Sequence, residues 1–211
     1  KFQEVVKVQD YCLLTYQDIV KYQNYLVGRN LSPATVGSYL RHIKAFVHWL
    51  DEYGYLQEKD WYKKIKLPKA PKKNVKIYSD SEIALIFENA VAETPMLTAR
   101  NMLIICLMFD SGLRQNEVCL IKWSDIDYEN GMLNVHGKGR KDRLVPIGAL
   151  TFAYLREYKA CCPFENEYLL LNRHGAPLTK NAVKLFMSKM HKKLGFEFSS
   201  HKLRHNFATN Y

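Results

Sequence analysis

Apolar residues recur at helical spacing through the first third of the chain. Thr15 can cap a helix that runs to about Val27. Ser32-Pro33 joins a capping hydroxyl to a proline at the first helical position, which is a strong helix start. A stripe of apolar residues then follows three or four positions apart, with Gly54 as a stop: Val36, Leu40, Ile43, Val47 and Leu50. The pattern predicts an all-helical region.

The pattern after residue 78 includes a strand period as well as a helical one. Met132–His136 alternates like a strand and Leu144–Ile147 is a short apolar partner, so the two predict a hairpin with a basic tip. Ala99–Phe109 is apolar on all sides, which predicts a buried helix ended by Ser111-Gly112. The other predicted helices are Ser79–Ala92, Gln115–Trp123, Leu150–Lys159, Lys180–Leu194 and one from Ser200 onward. The expected fold class is mainly α with a small antiparallel β-sheet.

A break in composition separates the two regions. Lys63–Lys76 holds seven lysines and two prolines and no acidic residue. Like charges repel and proline stiffens the backbone, so we predict an extended basic linker. The stretch is either a solvated loop or a segment that lies along a phosphate backbone. We divide the chain into a helical domain (1–68), a linker (69–78) and a second domain (79–211).

The charge balance points to a polyanionic partner. Thirty-one Lys+Arg against 21 Asp+Glu give a net charge of +10, which favours nucleic acid first and an anionic membrane surface second. The helix from Ser32 carries basic residues opposite its apolar stripe. A solvated polar face is the ordinary interpretation of such residues, but a basic face also fits a DNA groove. The predicted DNA contacts here are Arg41, His42, Lys44, Lys69, Lys72 and Lys73.

Other classes of protein are disfavoured. The five cysteines are odd in number and form no C-x-x-C pair, which is typical of reduced thiols in a cytoplasmic protein. No apolar run approaches the roughly 18–20 residues that span a bilayer. A metal-dependent nuclease is disfavoured because no acidic and histidine cluster has metal-ligand spacing. We therefore expect no membrane association, no metal and no cofactor.

Two short segments carry candidate chemistry. If Ser199 or Ser200 caps the last helix, His201 and Arg204 share one face at its first turn. Helix N-termini favour anions, and a guanidinium can hold two phosphate oxygens at once. Arg114 follows the glycine that ends the buried helix, and Glu117 three residues on could orient it. Taken singly, such pairs are more often surface contacts or structural ion pairs.

Taken together and in this order, the segments resemble the tyrosine recombinase family, which includes phage-type integrases and Xer-like recombinases. The resemblance covers nearly the whole chain. It rests on 31-Leu-Ser-Pro-Ala-Thr-35, 111-Ser-Gly-Leu-Arg-114 with Glu117, 123-Trp-Ser-Asp-Ile-Asp-127, 137-Gly-Lys-Gly-Arg-Lys-Asp-Arg-Leu-Val-Pro-146 and 201-His-Lys-Leu-Arg-His-205. It implies a helical core-binding (SAM-like) domain followed by an α+β catalytic domain.

The resemblance also implies roles for residues. Arg114 and Arg204 would clamp the scissile phosphate, Lys138 would protonate the leaving 5′-oxygen, and His201 would assist proton transfer. Glu117 and His205 would support these residues without touching the phosphate themselves. Arg140 and Lys141, on the same basic hairpin tip as Lys138, are expected to contact DNA. The implied partners are double-stranded DNA and further copies of the protein, as a tetramer on paired DNA sites.

The chain departs from the family pattern near its last residues. The family's nucleophilic tyrosine lies on an element later than the second arginine motif. Tyr211 comes only seven residues after Arg204, so core packing is its expected role. Asn116 also stands where the family often has a small hydroxyl residue. We expect a site-specific recombinase fragment that lacks the nucleophile; the alternative is a recombinase-like protein that binds DNA without cutting it.

Overall fold

The computed structural model describes residues 1–69, 71, 76–137 and 142–210. For Asn210 it describes the backbone only. Within it the chain divides into two compact units, Lys1–Asn74 and Val75–Tyr211. Each has a hydrophobic core of its own.

The regular secondary structure of the first unit is all helical in the residues described. Its two long helices begin at the caps that the sequence predicts: Thr15 and Asp18 form a capping box, and the Ser32 hydroxyl accepts from the backbone N–H of Thr35 at 3.2 Å. The elements are α1 (Phe2–Val6), α2 (Tyr16–Gly28) and α3 (Pro33–Glu52), with 3₁₀ turns at Tyr11–Leu13 and Trp61–Lys64.

The lysine-rich stretch Lys63–Lys76 begins inside the first unit. Lys63 and Lys64 end a 3₁₀ turn rather than an extended strand of chain. The reason is that apolar residues flank the two lysines. Trp61, Tyr62 and Ile65 are all buried in the core of this unit, and only the lysine side chains remain in solvent.

The second unit packs helices around a small sheet. Its elements are α4 (Asp80–Asn89), α5 (Pro95–Phe109), α6 (Gln115–Val118), β1 (Ile126–Asp127), β2 (Met132–His136), β3 (Asp142–Pro146), α7 (Ala149–Cys161), α8 (Lys180–Leu194) and α9 (Ser200–Asn210), with a 3₁₀ turn at Trp123–Asp125. The strands form an antiparallel sheet in the order β1-β2-β3. The predicted fold class, mainly α with a small antiparallel β-sheet, is confirmed.

The buried helix predicted from Ala99 is α5, and α7 and α9 pack against it. Its side chains from Ala99 to Met108 are buried apart from Arg100, as expected for a helix with apolar residues on all sides. The helix begins four residues earlier than predicted, at Pro95, because the Thr94 hydroxyl caps it. The Thr94-Pro95 pair has the same capping chemistry as Ser32-Pro33, so the start of α5 is also encoded locally.

The predicted helix Gln115–Trp123 is wrong beyond Val118. The backbone N–H groups that would extend it are taken by other acceptors: Lys122 donates to the Asp125 carboxylate at 2.8 Å and Trp123 to the carbonyl of Glu167 at 3.0 Å. The chain therefore turns into β1, a strand of two residues that is too short to show a period.

The hairpin has the predicted partners, but β3 begins two residues before Leu144. The register pairs Val135 with Arg143 and His136 with Asp142. His136 lies between two carboxylates, with Nδ1 3.0 Å from Asp142 Oδ2 and Nε2 3.1 Å from Asp125 Oδ1. Hydrogen bonds to Asp142 and then to Asp125 raise the pKa of His136. This pairing lies at the end of the two strands that is next to their connection.

Candidate active site

The two predicted arginine segments meet where α5 turns into α6. Gly112 has φ of 63°, and a Cβ added there would overlap the ring of Phe207 on α9. Only glycine satisfies both the left-handed backbone and this close approach. The Arg204 guanidinium donates through Nη1 to the carbonyl oxygen of Gly112. The glycine thus brings the first arginine motif against the second.

A pocket of about 290 Å³ opens at this junction. The first residues of α8 and α9 lie at its rim, so the positive ends of two helix dipoles face it. Its described lining includes basic side chains and no carboxylate: Arg114, Gln115, Asn116, Lys180, Ser200, His201 and Arg204. Arg114, His201 and Arg204, predicted from motifs nearly ninety residues apart in the sequence, therefore share one pocket.

Gln115 holds the rim together, although no sequence motif pointed to it. Its side-chain Nε2 donates to the carbonyl oxygen of Lys180 at 3.0 Å, and its Oε1 accepts from the Ser200 hydroxyl at 3.5 Å. One amide thereby joins the starts of α6, α8 and α9. Asn116 lines the same pocket beside it.

Glu117 is the buried anion behind the pocket, with only 7% of its side chain exposed. Its Oε1 accepts from Arg114 Nη1 at 2.9 Å and its Oε2 from the Arg114 backbone N–H at 2.8 Å. Burial alone would raise the pKa of this carboxyl. Hydrogen bonds from Arg143 and Arg114 outweigh it and lower the pKa to about 2. The predicted contact between Glu117 and Arg114 is present.

Arg143 is the second arginine on Glu117, and the sequence argument assigned it no role. Its Nη1 donates to Oε1 at 2.9 Å and its Nη2 to Oε2 at 2.8 Å. This is a bidentate pair, in which the guanidinium acts as a fork that grips both carboxylate oxygens. The residue lies within the quoted hairpin motif, three positions before the proline. Its pairing depends on the strand register and could not be derived from spacing.

The arginines around the pocket are positioned to take an anion. The pKa of Arg204 is lowered by burial and then by the positive charge of Arg114 nearby. Arg114 keeps 62% of its side chain exposed while Glu117 holds one end of it. Two guanidiniums that repel each other are relieved by a shared anionic ligand with several oxygens.

The N-terminal turn of α9 is fixed by Tyr78, which lies two residues before α4. The backbone N–H of Tyr78 donates to Asn206 Oδ1 at 2.9 Å, and its hydroxyl accepts from the Ser199 N–H at 3.4 Å. The ammonium of Lys202 lies 4.2 Å from the centroid of the same ring. Asn206 and Lys202 are buried, so the face that carries His201 and Arg204 has little freedom to turn.

The remaining predicted residues fall into three groups. His205 is exposed, its described hydrogen-bond partner is Thr209 one turn further on, and the described lining of the pocket does not include it. In the first unit Arg41, His42 and Lys69 are exposed, whereas Lys44 is half-buried and donates to the carbonyl of Ile65 at 3.2 Å. The predicted residues that lie outside the described residues are Lys72, Lys73, Lys138, Arg140, Lys141 and Tyr211.

Two other kinds of feature are missing from the described part of the chain. It contains no helix long and apolar enough to cross a membrane. Nor does it contain a group of three or more His, Cys, Asp and Glu side chains placed to hold a metal ion.

Comparison with known proteins matches this architecture to one family. The model of the phage integrase family matches residues 79–211. Tyrosine recombinase XerC of Bacillus pumilus is 28% identical over 221 residues, covering 100% of this chain and 72% of that protein. Tyrosine recombinase XerC of Lactobacillus delbrueckii subsp. bulgaricus is 32% identical over 191 residues, covering 86% of this chain and 64% of that protein.

A solved structure of related fold is the lambda integrase tetramer bound to a Holliday junction. It has a TM-score of 0.74 and 19% sequence identity, and the match covers 93% of this chain. This chain spans 59% of that integrase chain. At this level of identity the match concerns the fold.

Proposed function

The chain belongs to the phage integrase family of tyrosine recombinases, and from that premise we propose that its pocket grips the scissile phosphate of duplex DNA during site-specific recombination. A tyrosine hydroxyl attacks the phosphorus and the 5′-oxygen of the next nucleotide leaves. The DNA is then joined to the protein through a 3′-phosphotyrosine. Attack by the free 5′-hydroxyl of a partner strand reverses the step, so resealing needs no nucleotide cofactor.

The observation that carries the proposal is the meeting of Arg114, Arg204 and His201 in one pocket that is free of carboxylates among its described lining. In-line attack concentrates negative charge on the two non-bridging oxygens of the phosphate. Two guanidiniums held in place before the reaction stabilise that charge more in the transition state than in the ground state. Glu117 supplies the fixed anchor for the first of them.

Proton transfer completes the proposed chemistry. The leaving 5′-oxygen needs an acid, and we assign this to Lys138 from its place in the hairpin motif. His201 faces the pocket and assists proton transfer to or from the nucleophile. The position of the nucleophilic tyrosine, predicted to lie outside these 211 residues, stays a prediction.

The proposed partner is double-stranded DNA, with protomers assembled as a tetramer on paired sites. The basic surface of the first unit supports this, since protein cations that neutralise phosphates release the counterions condensed on DNA. The lambda integrase of similar fold is a tetramer bound to a Holliday junction. We propose a cytoplasmic protein that acts there on DNA.

The test uses the full-length protein that carries this chain. Its target duplex is first selected from a random library by repeated binding. A nicked version of that duplex, which loses the leaving strand after cleavage, traps a covalent adduct on a denaturing gel. We expect an adduct from the wild type and none from Arg204→Ala, while Arg156→Ala, an exposed arginine on α7, behaves as the wild type.

The same gel distinguishes cleavage from the alternative function, which is DNA binding alone. If the wild type binds the selected duplex tightly and yields no adduct, the chain belongs to a recombinase-like protein that binds DNA without cutting it. Peptide mapping of an adduct identifies the tyrosine. An adduct on Tyr211 would show that the predicted absence of the nucleophile from this chain is wrong.

A further inference from the structure

The carboxylate of Glu117 joins two arginines that come from different parts of the second unit. Arg114 is the residue before α6, and Arg143 lies on β3, 26 residues from Glu117 in the chain. All four donor–acceptor distances fall between 2.8 and 2.9 Å. Such a short set of bonds to a buried carboxylate fixes both partners closely.

The two arginines use Glu117 unequally. Arg143 gives it both terminal nitrogens, one to each oxygen, whereas Arg114 gives it one side-chain nitrogen and its backbone N–H. The exposed fractions agree: 34% of the Arg143 side chain is exposed against 62% for Arg114. Arg143 is therefore committed to the carboxylate, and most of the Arg114 guanidinium remains free for the pocket.

We infer that Arg143 is a positioning residue for DNA cleavage: its fork saturates Glu117, so that Arg114 keeps a single side-chain bond to the carboxylate and directs its other donors at the phosphate. The inference rests on the proposed function. Without the fork, the two vacated acceptor sites of Glu117 attract further donors of Arg114. The guanidinium then turns from the pocket toward the buried carboxylate.

The same ion pair ties the hairpin to the first arginine motif. Arg143 pairs with Val135 across the sheet and lies five residues after Lys138 in the chain. The strand β3 and the proposed phosphate clamp thus share one carboxylate. Hydrogen bonding by Arg143 is the largest of the effects that lower the pKa of Glu117, which agrees with its two-bond share.

A merely structural role would leave a different trace from a positioning role. A residue that only stabilises the fold affects folding. Its removal changes the cleavage rate by the same factor whether or not Arg114 is present. A residue that acts through Arg114 has no further effect on the rate once Arg114 is gone, which a double-mutant cycle measures.

The experiment compares Arg143→Lys, Arg114→Ala and the double variant in the full-length protein. Arg143→Lys keeps the charge and removes the fork. We measure DNA affinity and the single-turnover rate of adduct formation on the nicked duplex, after checking each variant by thermal unfolding. Arg156→Lys is the matched control on α7. Should Arg143→Lys fail to fold, Arg143→Gln, which keeps a planar donor, takes its place.

We expect Arg143→Lys to slow adduct formation roughly 10–100-fold, the usual cost of removing a group that orients a functional residue, with DNA affinity within about twofold of the wild type. In the Arg114→Ala background it should change the rate less than about twofold. An unchanged rate in Arg143→Lys, or equal effects in both backgrounds, would overturn the inference. If the wild type forms no adduct, the proposed function fails and this inference fails with it.

Discussion

Arg41 and Arg114 are both exposed arginines, yet the protein holds them in different ways. Arg41 stands on the solvent side of α3, and among the described residues no carboxylate pairs with it. Arg114 is bonded through its side chain and its backbone to Glu117, which is itself held by Arg143. We call Arg41 solvated because its side chain is exposed to water. We call Arg114 organised because hydrogen bonds to Glu117 fix its orientation.

This difference between the two arginines distinguishes a residue that contributes to DNA affinity from one that contributes to the cleavage rate. A solvated cation that meets a phosphate contributes to affinity by releasing counterions, whatever its precise orientation. A cation that stabilises a transition state has to be oriented before the charge develops, and a buried carboxylate achieves this despite its own cost in desolvation. The same residue type therefore has a different expected function in each unit.

The largest expected effects concern the proposed clamp and the proposed acid. Arg204→Ala should slow cleavage by about 10³–10⁵-fold, as for other arginines that neutralise phosphoryl charge. Lys138→Ala should slow it by about 10²–10⁴-fold, as for a positioned general acid. A substrate whose leaving 5′-oxygen is replaced by sulfur needs little protonation. It should restore much of the rate of Lys138→Ala and little of that of Arg204→Ala.

The sulfur substrate can also refute these roles. If both variants are rescued, Arg204 acts on the leaving group and not on the non-bridging oxygens. If neither is rescued, Lys138 is not the acid, and Lys141 on the same hairpin tip becomes the candidate.

Glu117 gives the organised site a dependence of its stability on pH. Its folded pKa of about 2 lies below the ordinary value of 4.5. A depressed folded pKa contributes stability that is fully present above pH 4.5 and is lost as the pH falls toward 2. The difference between the two values is worth on the order of 3 kcal/mol. Thermal unfolding of the wild type and Glu117→Gln should differ most near pH 6 and converge only as the pH falls to about 2.

A constant gap between the two unfolding curves over that range would mean that the charge of Glu117 does not stabilise the fold. Glu165→Gln, a change of an exposed carboxylate, is the matched control. It should leave the midpoint within the spread of ordinary surface substitutions at every pH.

The smallest expected effect concerns three lysines of the basic stretch Lys63–Lys76. Replacing Lys69, Lys72 and Lys73 together by Ala should weaken DNA binding and flatten its salt dependence by about one unit of slope for each phosphate that the protein no longer neutralises. The cleavage rate at saturating DNA should not change. The control removes three exposed lysines of α8, Lys184, Lys189 and Lys192. If affinity and slope of the Lys69, Lys72 and Lys73 variant are unchanged from the wild type, the segment is only a tether.

The sequence predicted the parts of the molecule that depend on local chemistry. The caps at Thr15 and Ser32, the buried helix α5 and the hairpin follow from short-range patterns. The pocket residues Arg114, His201 and Arg204 follow from motifs. These signals are local because capping and periodicity involve residues within one or two turns.

The features that the sequence left open depend on packing between distant residues. Arg143 meets Glu117 only through the strand register, and Gln115 bridges α8 and α9 only after both have packed. Asn206 accepts from Tyr78, 128 residues away in the chain. The end of α6 was mispredicted for the same reason, since the carbonyl of Glu167 takes the N–H of Trp123.

The most direct test compares Arg41→Ala and Arg114→Ala in the full-length protein on one nicked duplex, with affinity and single-turnover cleavage measured for both. The account predicts that Arg41→Ala weakens binding while the rate at saturating DNA stays that of the wild type. Arg114→Ala should bind within a few-fold of the wild type and fall on the order of 10³-fold or more in rate. If affinity and rate fall in the same proportion in the two variants, the distinction between solvated and organised arginines is contradicted.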